Sequence, residues 1–251
     1  KNGYKIISNM LSRIKPQASH YSTLWDTLNQ SLKPTIYKVE RLAPNIIEII
    51  VHAPMAAKAF QPGQFYRLQN FKSDALVIND TFLMMEGIAV TGAWVDRDKG
   101  LVSVIILEVG ASSNICKILK VGQPVILMGP TGTPTHIPSN ETVLLIGGGL
   151  GNAVLFSIGQ SLRKAGSRVL YFAGYKKIQD RFKVEELEKA ADQIIWCCEE
   201  SPSFITSRKN DVSFVGNIIE AMSDYSLGKI QPNVYPFNTI DRIIAIGSDK
   251  M

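Results

Sequence analysis

The chain of 251 residues is 45% hydrophobic and 20% charged, and its formal net charge is +5 at pH 7. These values are typical of a globular protein that is long enough for two domains. The basic residues are scattered, with no stripe interleaved with aromatic side chains, which argues against a nucleic-acid partner. Glycines at 147–151 interrupt the longest apolar segment, so we expect no membrane span and no membrane partner. Three cysteines form no disulfide framework, which favours the cytoplasm.

The first part of the chain, residues 1–32, is predicted to be a helical lead-in, because Leu24 and Leu28 lie one helical turn apart. Between Lys33 and Met128, six short runs rich in β-branched residues are separated by Pro, Gly, Asn and Asp. Since no long helix intervenes, these runs predict an antiparallel barrel or sandwich. We take the barrel as the prediction, a six-stranded Greek-key β-barrel domain over residues 33–135.

A connector rich in proline and glycine, GPTGTPTHIPSNE, precedes a different pattern. Apolar runs, TVLLIG, RVLYFAGY, QIIWCC and DRIIAIG, alternate with amphipathic helical segments. Strands that are apolar on both faces predict a doubly wound parallel sheet, here a nucleotide-binding domain over residues 136–251. Because a further helix is expected where the chain ends, we expect this domain to be truncated and the chain to be part of a longer protein.

A glycine cluster, IGGGLGN, joins the first strand of this domain to its first helix. The dinucleotide fingerprint G-x-G-x-x-G does not fit literally, because its third glycine would fall on Asn152 or Val154. The order of strand, glycine turn and helix still predicts backbone N–H groups that bind a pyrophosphate. A turn that needs glycine only for close packing is the alternative. The candidate binding residues are Gly147, Gly148, Gly149, Leu150, Gly151 and Asn152.

The second strand of the parallel sheet ends in YFAGYKK, where a ribose-binding carboxylate is usual. No carboxylate occurs there before Asp180, so Tyr175, Lys176 and Lys177 are the candidates for this part of the site. Lysines that face a 2′-phosphate would favour NADPH over NADH. Exposed lysines that bind nothing are the alternative.

Four features together resemble the ferredoxin–NADP reductase superfamily: the six barrel strands, PGQFYRL at 62–68, GPTGTP, and IGGGLG. The nearest branch resembles the electron-transfer subunits of dihydroorotate dehydrogenase and sulfide dehydrogenase. The resemblance implies FAD on the barrel, NAD(P)H on the α/β domain and hydride transfer between them. It also implies an iron–sulfur or flavin-containing partner domain or subunit, and a parent protein similar to a flavin oxidoreductase fused to a glutamate-synthase-small-subunit-like module.

The flavin motif of that superfamily matches this chain unevenly. Thr91 matches the hydroxyl residue expected near the flavin N5, so it is the catalytic candidate, although an ordinary strand threonine is the alternative. Gly87 stands where the family has an arginine that pairs with the flavin pyrophosphate. In PGQFYRL, Tyr66 and Arg67 are the candidate cofactor contacts.

A second flavin element of the family corresponds to VGASSN in this chain. The resemblance assigns Gly110, Ala111, Ser112 and Ser113 to cofactor binding, and an ordinary helix cap is the alternative for the two serines.

The last family motif, Cys-Gly-Pro, corresponds to Ile246, Gly247 and Ser248, so the expected cysteine near the nicotinamide is absent. Gly247 and Ser248 are the candidates in this run. Cys197, at the end of a neighbouring strand, is a further candidate for the cleft, with an inert buried thiol as the alternative.

Two other functions compete with a flavin-dependent NAD(P)H oxidoreductase. One is a flavin-free module that binds a nucleotide or serves assembly, because Gly87 lacks the arginine's charge. The other is an ordinary dehydrogenase, for which Tyr225 and Lys229 are the only suitably spaced pair. No metal site is predicted, because the histidines are scattered and the adjacent cysteines lack C-x-x-C spacing.

Overall fold

The computed structural model describes residues 15–247, so the lead-in before Lys15 and the chain after Gly247 lie outside the described residues. Within that range the helices, in chain order, are α1 (Lys15–Leu32), α2 (Pro54–Ala59), α3 (Ala111–Ile115), α4 (Asn152–Lys164), α5 (Val184–Ala190) and α6 (Ile218–Ser226). The strands are β1 (Thr35–Ala43), β2 (Ile46–His52), β3 (Phe65–Asn70), β4 (Val77–Ile78), β5 (Thr81–Phe82), β6 (Ile88–Asp96), β7 (Leu101–Leu107), β8 (Val125–Thr131), β9 (Thr142–Gly148), β10 (Arg168–Tyr175), β11 (Gln193–Cys198), β12 (Val212–Val215) and β13 (Arg242–Ile246). None of the helices in this range is both long and apolar enough to cross a membrane.

The first sheet has six antiparallel strands in the order β1-β2-β7-β6-β3-β8, which confirms the predicted strand number and Greek-key connections. Its two edge strands approach each other where Thr35 bridges Pro124. Hydrogen bonds from Ile36 N to the Gln123 carbonyl (2.9 Å) and from Val125 N to the Pro34 carbonyl (3.0 Å) flank that bridge. The contact between the edges is therefore local, and the sheet curls toward a barrel without a full ladder between β1 and β8.

The second sheet has five parallel strands in the order β12-β11-β10-β9-β13, which confirms the predicted α/β architecture. The residues of β10 and β11 are buried almost throughout, because helices cover both faces. One face packs on α4 and α5, through a core that includes Leu145 and Phe156. The other face packs on α6, where Phe172 contacts Tyr225 edge to face at 5.6 Å. The chain order reverses between β9 and β13, and this switch point is where open α/β sheets bind ligands.

The two sheets share one apolar core. Ala93 and Ile105 of the antiparallel sheet belong to the same buried cluster as Ala153 and Ile158 of α4. A second cluster fills the interior of the antiparallel sheet with residues such as Ile49. Strand β2 is buried on both faces for this reason, since one face lines the barrel interior and the other faces the α/β unit. The boundary that would separate domains 33–135 and 136–251 stays a prediction.

A buried carboxylate also joins the two sheets. Glu48 of β2 is 1% exposed, and its Oε1 accepts hydrogen bonds from Trp94 Nε1 (2.9 Å) and Ser103 Oγ (2.6 Å). Its Oε2 lies 2.8 Å from Nζ of Lys183, at the start of α5. Lys183 adopts a left-handed backbone with φ of 51°, which is uncommon for a residue with a side chain. The ion pair therefore crosses from the antiparallel sheet to the α/β unit.

Candidate functional site

A cleft of about 1140 Å³ opens at the switch point of the parallel sheet and extends to the antiparallel sheet. Its lining residues come from the carboxyl ends of β9, β10, β11 and β13, from the start of α6, and from β6 and β7. Nine of the residues predicted from the sequence line it: Thr91, Gly148, Gly149, Leu150, Gly151, Tyr175, Lys176, Cys197 and Gly247. A size of this order suits an extended ligand of nucleotide type.

The glycines of the turn have separate roles. A Cβ on Gly147 would lie 2.2 Å from Asn152 Oδ1, and one on Gly151 would lie 2.1 Å from the Ile246 carbonyl oxygen. Both positions therefore need glycine for packing. Gly149 has φ of 52° and no atom within 4 Å of its Cβ position, so it needs glycine for its backbone and leaves open space beside the cleft. The turn thus combines the packing alternative with a cradle that fits a phosphate at the start of α4.

Asn152 supports this turn from within the protein. Its side chain is buried, and Nδ2 donates to the carbonyls of Gly149 (3.0 Å) and Gly174 (3.3 Å). Its Oδ1 accepts a 2.8 Å hydrogen bond from the hydroxyl of Tyr171. The Asn152 side chain therefore holds the glycine turn against β10, and it does not reach the cleft as a ligand contact.

The three predicted residues at the end of β10 differ in their environment and in whether they line the cleft. Tyr175 lines the cleft, but its ring belongs to a buried aromatic cluster with Trp196 and Phe204, and burial raises the pKa of its phenol. Lys176 is exposed and lines the cleft. Lys177 is not among the lining residues, and its Nζ lies 3.5 Å from Glu200 Oε2. Of the two lysines, Lys176 is the one that lines the cleft.

Cys197 lies where the sequence places it, at the end of β11 beside the cleft. The residue is 1% exposed, and burial raises the pKa of its thiol. Cys198 faces the opposite side of the sheet, where its Sγ donates to the Glu200 carbonyl (3.1 Å) and burial likewise raises the pKa of its thiol. A neutral thiol at the wall is a packing residue, because nucleophilic chemistry needs the thiolate.

Thr91 lies on the wall that the antiparallel sheet contributes, together with Leu107. In β6 it pairs with Phe65 of β3 and with Ile105 of β7, so neighbours on both sides fix its position. The structure therefore brings the predicted catalytic hydroxyl to the same cleft as the glycine turn, although the two are more than 50 residues apart in sequence.

The predicted contacts of β3 point in opposite directions. Tyr66 is fully buried, its hydroxyl donates to the Ala56 carbonyl (3.1 Å), and its ring stacks on Phe60 at 5.9 Å. Contrary to the sequence-based assignment, Tyr66 is a core residue that presents no atom to a cofactor. Arg67 is exposed on the other face, opposite Ala89 of β6.

That outer face of β3 and β6 carries small side chains next to the exposed Arg67. Small side chains at Thr91 and Ala89 leave space above this face. A Cβ on Gly87 would meet only Met128 Cε, at 3.6 Å. Across residues 15–247, no hydrogen bond or ion pair engages the guanidinium of Arg67. The positive charge of Arg67 is therefore unpaired within this range, and it lies near Gly87, the position where the family has an arginine.

The second predicted flavin element forms the short helix α3 beside this face. Ser112 Oγ accepts a hydrogen bond from Glu86 N (3.1 Å), so the element meets the residue before Gly87. Ser113 Oγ accepts from Gly110 N (2.9 Å) and donates to the Gly110 carbonyl (3.0 Å). Ser113 is thus engaged as a helix cap, which is the alternative that the sequence left open. Gly110 and Ala111 are exposed at the start of α3.

The dehydrogenase alternative does not fit the structure. Tyr225 is fully buried, and its hydroxyl is 2.9 Å from Gln193 Oε1 and 3.3 Å from the Tyr235 carbonyl. Lys229 pairs with Asp224 at 2.9 Å on the surface. Neither side chain lines the cleft, so the pair cannot act as its acid and base.

Several lining residues escaped the sequence analysis. Gly247 lines the cleft, whereas Ser248 lies outside the described residues. Glu199, Asn217 and Glu220 were missed, and they line the far end of the cleft. The spacing N-x-x-E was a readable signal, because Asn217 and Glu220 form a capping box with bonds of 2.9 and 3.1 Å. Over the range that the structure covers, no three His, Cys, Asp or Glu side chains group as metal ligands.

Comparison with known proteins gives relatives for about two thirds of the chain. No protein-family model matches it. A protein of Rickettsia prowazekii (strain Madrid E), itself uncharacterized, is 36% identical over 180 residues, which are 71% of this chain and 24% of that protein. The dihydroorotate dehydrogenase B (NAD(+)) electron transfer subunit homolog of Thermotoga maritima is 26% identical over 161 residues, 64% of this chain and 53% of that subunit. The chain thus spans between a quarter and about half of the length of these relatives.

Comparison of the fold gives a wider match. A chain of the NADH-dependent reduced ferredoxin–NADP oxidoreductase, a structure described for flavin-based electron bifurcation, superimposes with a TM-score of 0.67 at 23% identity. The match covers 86% of this chain and 68% of that one. At such identity the likeness shows the fold, with the antiparallel sheet and the parallel sheet in the same arrangement. The two sheets and this match show that the chain has the two-domain fold of the ferredoxin–NADP reductases, and its sequence is similar to a dihydroorotate dehydrogenase B electron transfer subunit homolog.

Proposed function

We propose that this chain is the electron-entry module of a flavin-dependent NAD(P)H oxidoreductase. The observation that carries the proposal is the shared cleft, in which Thr91 of the antiparallel sheet and the glycine turn of the parallel sheet line one cavity. A pyridine nucleotide whose pyrophosphate binds at Gly149 can extend from the switch point toward Thr91. The names of the relatives, an NAD(+)-linked electron transfer subunit and a ferredoxin–NADP oxidoreductase, agree with this function.

The chain's own residues would supply position and charge. Backbone N–H groups of the turn and the start of α4 would hold the pyrophosphate. The apolar wall of Leu107 and Ile246 would exclude water from the ring that carries the hydride. The hydroxyl of Thr91 would fix the ring of a flavin by a hydrogen bond. FAD, when bound, would accept a hydride and release its two electrons one at a time.

Arg67 would compensate for the missing arginine of the flavin motif. It lies opposite Ala89, two residues from Gly87, and its guanidinium is exposed. A guanidinium paired with a phosphate is a charge-assisted contact worth several kcal/mol at most, so its loss should weaken FAD binding strongly. Ser112 is placed to add a hydroxyl near the same phosphate, while the exposed carboxylate of Glu86 opposes it.

The acceptor of the electrons would be an iron–sulfur or flavin-containing partner domain or subunit. The match covers 24% of one relative and 53% of the other, and neither match identifies this partner. We also propose a cytoplasmic location, which suits the free Cys116, Cys197 and Cys198.

The test is a visible spectrum of the purified chain after FAD is added and the excess removed by gel filtration. We expect a retained flavin band that bleaches under anaerobic NADH or NADPH. Arg67→Met should lose most of the band, whereas Arg168→Met, which changes an exposed arginine outside the cleft, should keep it. Thr91→Val, nearly the same shape, should keep the band but bleach slowly. Equal flavin retention by both arginine variants would show that Arg67 does not hold the cofactor.

A flavin-free module that binds only the nucleotide is the second candidate. It is favoured by Gly87 and by the engagement of Ser113 in its own helix cap. A chain that binds ADP-ribose but stays colourless with FAD would establish it. A chain that binds neither would reject both functions.

A further inference from the structure

The end of the cleft that lies away from Thr91 has its own charge pattern. Glu199 follows β11, and Glu220 lies in the first turn of α6. Both line the cavity with Lys176. The lining there carries two carboxylates and one ammonium group, so its balance is acidic, although the chain as a whole has a formal charge of +5.

Backbone hydrogen bonds fix Glu199 beside the end of β10. Glu199 N donates to the Tyr175 carbonyl (3.1 Å), and Glu200 N donates to the Lys176 carbonyl (3.0 Å). The two strand ends are therefore tied together just where Tyr175 and Lys176 reach the cleft. Glu199 forms no ion pair with any residue of the range 15–247, whereas its neighbour Glu200 lies 3.5 Å from Lys177.

Glu220 is fixed by the capping box of α6. One carboxylate oxygen, Oε2, accepts from Asn217 N at 3.1 Å, and Asn217 Oδ1 accepts from Glu220 N at 2.9 Å. This arrangement holds the carboxylate over the helix start. Its Oε1 has no hydrogen bond to another described residue, so one acceptor remains for a ligand.

The topology places this acidic end where an adenosine ribose would lie. A pyrophosphate at Gly149 follows β9, and in this class of sheet the attached ribose lies over the end of the next strand, here β10. A carboxylate at that position accepts hydrogen bonds from the ribose hydroxyls, whereas a cation accommodates a 2′-phosphate. In this chain β10 ends in lysines, and the carboxylates come from the neighbouring elements instead.

We propose that Glu199 and Glu220 bind the adenosine ribose hydroxyls and disfavour a 2′-phosphate, so that the chain prefers NADH to NADPH. The inference rests on the proposed function and deepens it. It reverses the preference that the lysine pair predicts, because Lys177 faces Glu200 and leaves Lys176 opposed by two carboxylates. Because like charges placed together at a binding site repel, we expect ADP-ribose to bind at least about tenfold more tightly than 2′-phospho-ADP-ribose.

The test is isothermal titration calorimetry of the full chain with four probes: ADP-ribose, 2′-phospho-ADP-ribose, NADH and NADPH, at near-physiological salt. Calorimetry reports binding without flavin or turnover. Glu199→Lys should narrow or reverse the ratio of affinities, and Glu220→Gln should narrow it while its amide oxygen preserves the helix cap. Glu185→Gln, an exposed carboxylate of α5 outside the cleft, is the matched control and should leave the ratio unchanged.

The outcomes separate this inference from the function beneath it. A wild-type chain that binds the 2′-phosphorylated probes as tightly as the others, or more tightly, overturns the inference and favours Lys176 as a phosphate ligand, with the nucleotide site intact. A ratio that Glu199→Lys and Glu185→Gln leave equally unchanged also overturns it. Failure of the wild-type chain to bind ADP-ribose overturns the proposed nucleotide site and the inference together.

Discussion

Replacing Lys183 by methionine tests whether the buried ion pair couples the two sheets. Lys183 Nζ is the partner of Glu48 Oε2 at 2.8 Å, with side-chain exposures of 15% and 1%. Methionine keeps the length of the side chain, and the left-handed backbone at this position costs a similar amount for either residue. The difference in free energy of unfolding therefore reports the loss of the charge.

The size of the effect follows from the contacts that Glu48 retains. Trp94 and Ser103 still donate to Oε1, so the carboxylate keeps two of its partners. Removing one member of a buried pair costs about 3–5 kcal/mol, and we expect the lower limit, about 3 kcal/mol, because of those retained donors. For a chain of this size that loss lowers the Tm by about 6–12 °C.

The assay is urea denaturation followed by circular dichroism, with Lys177→Met as the matched control. Lys177 forms an exposed pair with Glu200 at 3.5 Å, with side-chain exposures of 47% and 49%, so its removal should cost at most about 1 kcal/mol. In a double-mutant cycle, Glu48→Gln should remove most of the effect of Lys183→Met. If Lys183→Met costs no more than Lys177→Met, the pair does not stabilise the junction of the sheets.

Three further predictions concern the cleft and the surface. Gly149→Ala should cost about 1–2 kcal/mol of stability, because the φ of 52° at this position is left-handed, and it should weaken ADP-ribose binding. Gly151→Ala should cost about 3 kcal/mol, because its Cβ would lie 2.1 Å from the Ile246 carbonyl oxygen. Urea midpoints and calorimetry compare the two variants, and equal stability of both would contradict the separate roles of these glycines. The thiols of Cys116, Cys197 and Cys198 should resist iodoacetamide at pH 8 until urea unfolds the chain, because burial raises the pKa of Cys116 to about 12 and raises the pKa of the other two thiols as well. Labelling is measured by mass spectrometry, and rapid labelling of Cys197 in the native state would show that its thiol is open to the cleft. The hydrogen bond from Arg41 at 2.6 Å lowers the pKa of Glu108 below its value in the unfolded chain. The stability that this bond contributes is therefore complete above about pH 5 and is lost as the pH falls through the folded-state pKa. Glu108→Gln should lower stability at pH 7 and reduce the further loss of stability on acidification, and urea midpoints that fall equally steeply with pH in both proteins would refute this.

The sequence predicted the elements of the site well because their signals are local. Each strand pattern and the glycine turn lie within a short stretch of the chain, and the alternation of apolar runs with helices is built from such stretches. The separate roles of the glycines within the turn could not be predicted from the sequence. Gly147 and Gly151 are limited by contacts with Asn152 and with Ile246, and the second of these lies almost 100 residues away in the chain.

Residues whose roles depend on strand order were missed or misassigned. Glu199 and Glu220 reach the cleft because β11 lies beside β10 and β12 lies beside β11 in a parallel sheet, and parallel strands end at the same edge. Tyr66 and Arg67 are neighbours in sequence, but the alternation of a strand sends them to opposite faces. Choosing the member that lies on the outer face needed the register of β3 against β6.

If the proposed function is right, two tasks are separated along one cleft. Thr91 of the antiparallel sheet and Ile246 of β13 line one end of the cleft, and a shared core together with the Glu48 ion pair joins the two sheets. Glu199 and Glu220 lie at the other end, where the lining belongs to the parallel sheet and α6 alone. Changes at the acidic end should therefore alter which nucleotide binds without moving the rings that exchange hydride. Changes at the junction should do the reverse, because ring alignment depends on how the two sheets are held together.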